Sequence, residues 1–170
     1  ILTGIDLTVA PGEHIAIVGT SGAGKSTLLG VLLGWHRLAS GQVRVDGAPL
    51  DDTRLARMRR ETAWVDPAIT LWNRSVLDNL TYACDPDSTP GVERVIETAR
   101  LRGVLASLPE GLQTHLGEGG ARLSGGEGQR VRLARALMQA DTRLVLLDEP
   151  FRGLDRGQRA GLLADARRWW

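Results

Sequence analysis

The sequence predicts an α/β fold, in which a mixed and partly parallel sheet carries an inserted, mostly helical segment. Apolar runs typical of buried strands alternate with runs of helical spacing, which indicates such a sheet. From about residue 71 to residue 108 the chain breaks into short helical stretches, with turn signals at residues 85–86, 89–91 and 109–111. The 170 residues are 42% apolar and 24% charged, as is ordinary for one globular domain.

The elements are predicted in order from the amino terminus. Residues 1–9 and 14–18 form two strands around the turn Ala10-Pro11-Gly12, and the second is nearly all apolar, as in a central strand covered on both faces. A glycine-rich turn over 19–24 leads into a helix over 26–33. The other predicted elements are a strand over 42–45 ending at the hairpin signal Asp46-Gly47, a helix over 53–60, a strand over 62–65, a helix over 127–139, a strand over 144–147 and a helix after Asp155.

The composition argues against several classes of protein. The net charge of +1 gives no electrostatic case for a nucleic-acid partner. The single Cys84 forms no internal disulfide, which fits a reducing compartment, and no apolar run approaches the ~18 to 20 residues of a membrane span. Among 21 basic residues the only lysine is Lys25. Both ends fall inside element-like runs, so we expect a fragment of a longer polypeptide.

The turn after the second strand carries the most specific motif. Residues 19–27 fit the pattern G-x-x-x-x-G-K-S/T, between a predicted strand and a predicted helix. Glycines let backbone N–H groups point at phosphate oxygens, while Lys25 reaches the β and γ phosphates and the Ser26 hydroxyl ligates Mg²⁺. This predicts a P-loop NTPase-type core. The candidate nucleotide-binding residues are Gly19, Thr20, Ser21, Gly22, Ala23, Gly24, Lys25, Ser26 and Thr27.

Two carboxylates follow the apolar strand at 144–147 and supply the acidic partner of this loop. Asp148 is predicted to hold Mg²⁺, directly or through water. Glu149, one residue on, is predicted to orient and polarise an attacking water as the catalytic base. The pair predicts hydrolysis of the bound nucleotide.

The run Leu123-Ser124-Gly125-Gly126-Glu127 precedes the longest predicted helix. Ser124 is a good N-cap, and two glycines expose N–H groups at a helix start, which suits a second phosphate contact. An ordinary capped helix with a flexible entry explains the same residues equally well. The local pattern leaves both interpretations open.

These three segments, in this order and spacing, resemble the nucleotide-binding domain of ABC transporters over essentially the whole chain. The resemblance implies binding and hydrolysis of ATP with Mg²⁺ to power transport across a membrane. It implies that two such domains, in a homodimer or heterodimer, pair head to tail, with each ATP between the phosphate loop of one and Ser124, Gly125, Gly126 and Glu127 of the other. Asp155 lies in the loop expected at that interface, and Glu127 stands where the family usually has Gln.

The resemblance also implies a division of the domain. Residues 1–70 are expected to form the first part of the ATP-binding core, residues 71–125 a helical subdomain ending at the signature loop, and residues 126–170 the signature helix, the carboxylate strand and the following helix. The family's adenine-stacking aromatic residue and switch His are expected outside the chain. We therefore expect the 170-residue piece alone to hydrolyse ATP poorly.

The segment 108–120 resembles that of exporter-type domains. It implies a transmembrane partner domain, fused or separate, contacted through the loop from Gly117 to Gly120 and the loop from Asp66 to Trp72. The resemblance then implies a place on the cytoplasmic side of the cell membrane. Two other functions stay open: a weakly hydrolytic partner in a heterodimeric transporter, and a non-transport ABC ATPase, against which the net charge and the compact middle segment argue.

One position departs from the family pattern. Where the family has a Gln that touches Mg²⁺ and the attacking water, alignment back from Trp72, Ser75 and Asn79 places Pro67, which has no side-chain donor or acceptor. Either the neighbouring Asp66 replaces it as a carboxylate ligand of Mg²⁺, or the contact is lost and coupling to the membrane domain is weak.

Overall fold

The computed structural model describes residues 2–82, 84 and 91–170, in two compact units, Ile1–Arg59 and Arg60–Trp170. We call them the N-terminal unit and the C-terminal unit. The turn signals predicted at residues 85–86 and 89–90 lie outside the described residues. Among residues 2–82, 84 and 91–170, no helix combines the length and the apolar character needed to cross a bilayer.

The N-terminal unit contains two helices and a short hairpin. Helix α1 spans Lys25–Leu32, strands β1 (Arg44–Val45) and β2 (Ala48–Pro49) pair antiparallel, and helix α2 spans Asp52–Arg60. The hairpin signal is confirmed, because Asp46 and Gly47 both have left-handed backbones, with φ of 51° and 77°. That pair of conformations is the one a two-residue type I′ turn requires.

The two strands predicted before α1 are wrong for this structure. Of the strands predicted over 1–9 and 14–18, the described residues 2–9 and 14–18 pair with no described segment, since the two-stranded sheets found in the described chain are β1–β2 and one in the C-terminal unit. Instead of being covered on both faces, Val18 is 88% exposed. A strand needs hydrogen-bonding neighbours, and the apolar pattern of a single segment does not supply them.

The C-terminal unit is built on a parallel strand pair. Strand β3 (Thr62–Val65) runs alongside β4 (Leu144–Leu147) in unbroken register. A parallel pair needs a long crossover, and here the crossover carries most of the helices. These helices are α3 (Val76–Leu80), α4 (Val92–Thr98), α5 (Arg102–Ser107) and α6 (Gly125–Leu137), with short 3₁₀ turns at Gly111–Gln113 and Glu118–Gly120, and α7 (Arg156–Trp169) follows β4.

Helix α6 is the centre of the hydrophobic core of the C-terminal unit. Its inner face buries Val131, Leu133, Ala134 and Leu137, and it contacts β3, α3 and α4. Because β3 and β4 are parallel and paired in register over their whole lengths, both strands end at the same edge of the sheet. The Asp148 N–H donates to the Val65 carbonyl at 2.8 Å, which fixes the start of the two loops that leave this edge.

Candidate functional site

The predicted phosphate loop lies in the N-terminal unit, immediately before α1. Its lysine reaches back over the loop: Lys25 Nζ donates to the carbonyls of Gly19 and Thr20 at 3.0 and 2.9 Å. Gly24, in the left-handed region with φ of 92°, turns the chain from the loop into the helix. The ammonium group is therefore held across the concave side of the loop, where it can meet an anion.

The start of α1 is electrostatically suited to phosphate. Gly24 is the N-cap and offers no side chain to the first turn, and that turn contains no acidic residue. The positive end of the helix dipole is thus not neutralised by the helix's own side chains. Together with Lys25, this fits the phosphates of a nucleotide.

The predicted carboxylates lie in the C-terminal unit, where β4 ends. Asp148 is half-buried at the strand end, and Glu149 is exposed beside it. Glu149 has an unusual left-handed backbone for a residue with a side chain, with φ of 42°. Its Oε2 lies 3.8 Å from Arg152 Nη1 in an exposed ion pair, an interaction weak enough to leave the carboxylate free to turn toward a ligand.

Ser124 caps α6, as its residue type predicts. Its Oγ accepts from the Glu127 N–H at 3.4 Å, while Glu127 Oε2 accepts from the Ser124 N–H at 2.8 Å, which makes a complete capping box. Hydrogen bonds from the Ser124 backbone and side chain to the Glu127 carboxylate lower the pKa of Glu127 below its ordinary value. The capping role is confirmed, and the phosphate contact of this segment stays a prediction.

Gly126 brings the start of α6 against the loop that precedes α7. A Cβ at Gly126 would lie 2.7 Å from Leu154 Cδ2 and 3.1 Å from the Gly153 carbonyl oxygen, so any side chain there would require both neighbours to shift. Asp155, the predicted interface residue, is exposed just beyond this contact and caps α7 by accepting from the Gln158 N–H at 2.9 Å. The two predicted interface segments thus pack closely against each other.

The loop 66–72 leaves the end of β3, one strand away from Asp148. Asp66 Oδ1 accepts from the Ala68 N–H at 2.6 Å, which tightens the turn around Pro67. Asp66 directly follows β3, and Asp148 directly follows β4. Since Val65 and Leu147, the last residues of these strands, are paired in register, Asp66 and Asp148 start from neighbouring positions. The structure therefore brings Asp66, Asp148 and Glu149 to one sheet edge.

Three polar residues of α6 that we did not single out from the sequence contact this edge. Gln129, Arg132 and Arg135 recur every third residue, so they share one helix face. Arg132 Nε donates to the Ile69 carbonyl at 2.7 Å, and Arg135 Nη1 donates to the Thr70 carbonyl at 3.1 Å. The spacing of these three residues could have predicted a polar face on α6. The sequence does not indicate which backbone carbonyls that face would contact.

Burial affects the arginines of this face. It lowers the pKa of Arg132, and the negative charge of Asp66 opposes that shift. It lowers the pKa of Arg135 to about 10, with the charge of Arg132 contributing. Arg135 also lies 4.4 Å from the centre of the Trp72 ring, in a cation–π contact that anchors the end of the loop.

The segment 117–120, predicted to contact a membrane partner, forms a tight 3₁₀ turn in the C-terminal unit. Glu118 is exposed there, while Gly120 is buried against Leu71. A Cβ at Gly120 would lie 3.0 Å from Leu71 Cδ1, so this turn contacts the end of the loop 66–72. The two segments predicted to face a membrane domain are therefore neighbours.

Among the residues that the structure describes, no group of three or more His, Cys, Asp or Glu side chains gathers to hold a metal ion. A site with only one or two carboxylates fits Mg²⁺, which usually keeps several waters and takes one or two carboxylates together with phosphate oxygens. Asp148, with Asp66 beside it, provides hard oxygen atoms of that kind.

Comparison with known proteins places these features in a family. Residues 2–152 match the family described as ABC transporter. The ATP-dependent lipid A-core flippase of Chromobacterium violaceum is 39% identical over 154 residues, covering 91% of this chain and 26% of the flippase. ATP-binding cassette sub-family B member 6 of Homo sapiens is 36% identical over 163 residues, covering 96% of this chain and 19% of that protein.

A solved structure, that of a bacterial Atm1-family ABC exporter with ATP bound, superimposes with a TM-score of 0.80 at 32% identity, covering 94% of this chain and 28% of that chain. The chain spans about a quarter of the length of the flippase relatives. The resemblance stated from the motifs is confirmed, and so is the expected fold class. The chain belongs to the ABC transporter family and has the fold of its ATPase domain.

Proposed function

We propose that this chain is the ATP-hydrolysing domain of an ABC exporter. The observation that carries the proposal is the loop 19–27, in which Lys25 spans two loop carbonyls beside the uncapped start of α1. Such a cradle recognises the β and γ phosphates of a nucleoside triphosphate. The relatives that are named flippase and exporter support the link to transport.

In the proposed reaction, the chain's own residues position ATP and a water molecule. Backbone N–H groups of the loop and the Lys25 ammonium bind the phosphates, with Ser26 and Asp148 as ligands for Mg²⁺. When bound, Mg²⁺ neutralises charge that develops on the phosphate oxygens. Glu149 accepts a proton from the attacking water, and its exposed position lets its carboxylate approach a substrate from the open side of the sheet edge.

A second domain of this kind completes each site in the proposal. Ser124, Gly125, Gly126 and Glu127 would contact the ATP held by the partner's phosphate loop, in a head-to-tail homodimer or heterodimer. Support comes from the exposed start of α6, where a Cβ added at Gly125 would meet nothing within 4 Å. Asp155 lies on the same side, beyond the Gly126–Gly153 contact.

A transmembrane domain is the other proposed partner, reached through the neighbouring segments 117–120 and 66–72. This chain would then work at the cytoplasmic side of the cell membrane. Within the domain, we assign residues 1–70 and 126–170 to the ATP-binding core and residues 71–125 to the helical subdomain. The short helices α3, α4 and α5, all within 71–125, support that division.

A second function is favoured by one observation. Pro67 stands at the position of the family's metal-contacting Gln, and the Asp66 carboxylate is already engaged by the Ala68 N–H. A chain that binds ATP but hydrolyses it weakly, as one half of a heterodimer, would have such a loop.

Hydrolysis by the full-length protein in membrane vesicles separates the two functions. An exporter domain gives Mg²⁺-dependent release of phosphate by this chain, retained when the opposite site of the dimer is inactivated. Binding of ATP without release from this site would favour the weakly hydrolytic partner. Binding of neither ATP nor ADP would overturn both.

Asp66 is proposed as an additional Mg²⁺ ligand. In the full-length protein, Asp66→Asn and Asp66→Ala are expected to raise the Mg²⁺ concentration for half-maximal ATPase activity, Ala more than Asn, because the amide keeps a weaker oxygen donor. The measurement is ATPase rate against Mg²⁺ at saturating ATP. Asp78→Asn, which alters a carboxylate of the α3 capping box, is the control. An unchanged Mg²⁺ requirement in both Asp66 variants would make Asp66 a loop residue only.

A further inference from the structure

The main chain at Glu149 is held from two sides. Its left-handed conformation, with φ of 42°, is costly for a residue with a Cβ and persists only where neighbours impose it. Its carbonyl accepts from the Arg152 N–H at 3.1 Å, which closes the following turn, and from Gln129 Nε2 at 3.1 Å. The second bond is the one that comes from outside the turn.

Gln129 is 3% exposed, and its amide is used at both ends. Nε2 donates to the Glu149 carbonyl, and Oε1 accepts from Arg132 Nη1 at 3.2 Å. A guanidinium group only donates and a carbonyl only accepts, so only a side chain with both functions can link them, and its orientation is fixed. Gln129 meets this requirement, whereas a glutamate of the same size lacks the donor.

Arg132 continues the connection to the loop 66–72. Its Nε donates to the Ile69 carbonyl at 2.7 Å, so three hydrogen bonds join the Ile69 carbonyl to the Glu149 carbonyl through two side chains of α6. The helix carrying both side chains is anchored in the core, with Val131, Leu133 and Leu137 buried. A shift of the loop therefore acts on the hydrogen bonds rather than on the helix.

We propose that Gln129 and Arg132 are positioning residues that couple the loop 66–72 to the backbone, and hence to the carboxylate direction, of Glu149. The inference rests on the proposed role of Glu149 as the base that activates water. With the loop in place, the relay holds Glu149 in its left-handed conformation. When the loop moves away, the Gln129 bond loosens, the backbone relaxes and the carboxylate turns from the water. The position of the loop 66–72 thereby sets the rate of hydrolysis through Glu149, without a contact between the loop and ATP.

The first test uses Gln129→Glu in the full-length protein, with ATPase rates measured against ATP concentration. This change removes the donor to Glu149 and keeps an acceptor for Arg132. We expect kcat to fall about tenfold, the effect of one lost hydrogen bond, with KM for ATP within about twofold. Gln129→Met, apolar and of similar length, should lower kcat equally. Retained ATP binding in calorimetry shows that each variant is folded.

Gln139→Glu is the matched control. Gln139 also donates Nε2 to a backbone carbonyl, that of Arg60, but lies past the other end of α6. Its kcat should stay at the wild-type value. A fall as large as that of Gln129→Glu, or a rise in KM without a fall in kcat, would show a general structural effect and overturn the relay.

The second test is a double-mutant cycle with Arg132→Met. If both residues act through one chain of bonds, the double variant with Gln129→Met should be no slower than the slower single variant. Arg132→Lys keeps the charge but loses the planar guanidinium group, whose Nε and Nη1 reach two separate acceptors, so it should be slowed as Arg132→Met is. If the kcat reductions of Gln129→Met and Arg132→Met multiply in the double variant, the two residues act independently and the relay is overturned.

Glu149→Gln in the same assay separates the two proposals. Full activity in Glu149→Gln would show that Glu149 is not the base, which overturns the proposed mechanism and the relay that rests on it. Loss of activity there, beside unchanged Gln129 and Arg132 variants, overturns the relay alone.

Discussion

Glu149→Gln is expected to retain ATP binding while lowering kcat by about 10²-fold or more, the usual scale for loss of a general base. Glutamine has the size of glutamate and keeps an oxygen, so the backbone bonds from Gln129 and Arg152 have no reason to change. The amide, however, cannot accept the proton of the attacking water. Steady-state phosphate release and calorimetric ATP binding by the full-length protein measure the two effects separately.

A dimer that cannot hydrolyse its ATP should also accumulate. With MgATP, the Glu149→Gln protein is expected at doubled mass in sizing experiments if its domains pair between chains, and ADP should not produce the shift. Glu93→Gln is the control, because Glu93 is an exposed glutamate paired only weakly with Arg102 at 3.4 Å. Unchanged hydrolysis in Glu149→Gln would place the base elsewhere.

Lys25→Ala is expected to weaken ATP binding by about 10²-fold or more, because a charge-assisted contact to the β and γ phosphates is lost in a preorganised site. In the structure the ammonium group donates to the Gly19 and Thr20 carbonyls, so its removal also leaves those two carbonyls without this donor. Calorimetric titration of ATP into wild-type and variant full-length protein gives the ratio of dissociation constants.

Arg37→Ala serves as the charge-matched control for this experiment. It removes one positive charge from the same unit at an exposed position, after α1. Its affinity for ATP should equal that of the wild type, since a solvent-exposed charge outside the loop is largely screened. Equal affinities in Lys25→Ala and wild type would end the interpretation of residues 19–27 as a nucleotide site.

The parts of the fold that the sequence predicted are those with a local cause. The hairpin at Asp46-Gly47, strands β3 and β4 and the cap of α6 at Ser124 each follow from a few neighbouring residues. The strand expected at 14–18 was wrong because pairing is a property of two segments. The phosphate loop and the two carboxylates were found from motifs, and their chemical roles stay predictions.

The polar face of α6 could not be predicted because its partners are backbone carbonyls. Arg132 reaches Ile69, 63 positions earlier in the chain, and Gln129 reaches Glu149, 20 positions later. A carbonyl is present at every residue, so no residue type marks the one that is used. Such contacts emerge only when the helix and the two loops are placed together.

The two glycines at the start of α6 differ in what they are needed for. A Cβ at Gly125 would meet nothing within 4 Å, whereas one at Gly126 would require Leu154 and Gly153 to shift. In a library of random substitutions selected for folding alone, position 125 should therefore accept more residue types than position 126. Under the proposed contact of Gly125 with the ATP of a partner chain, selection for ATPase activity should recover glycine at both positions.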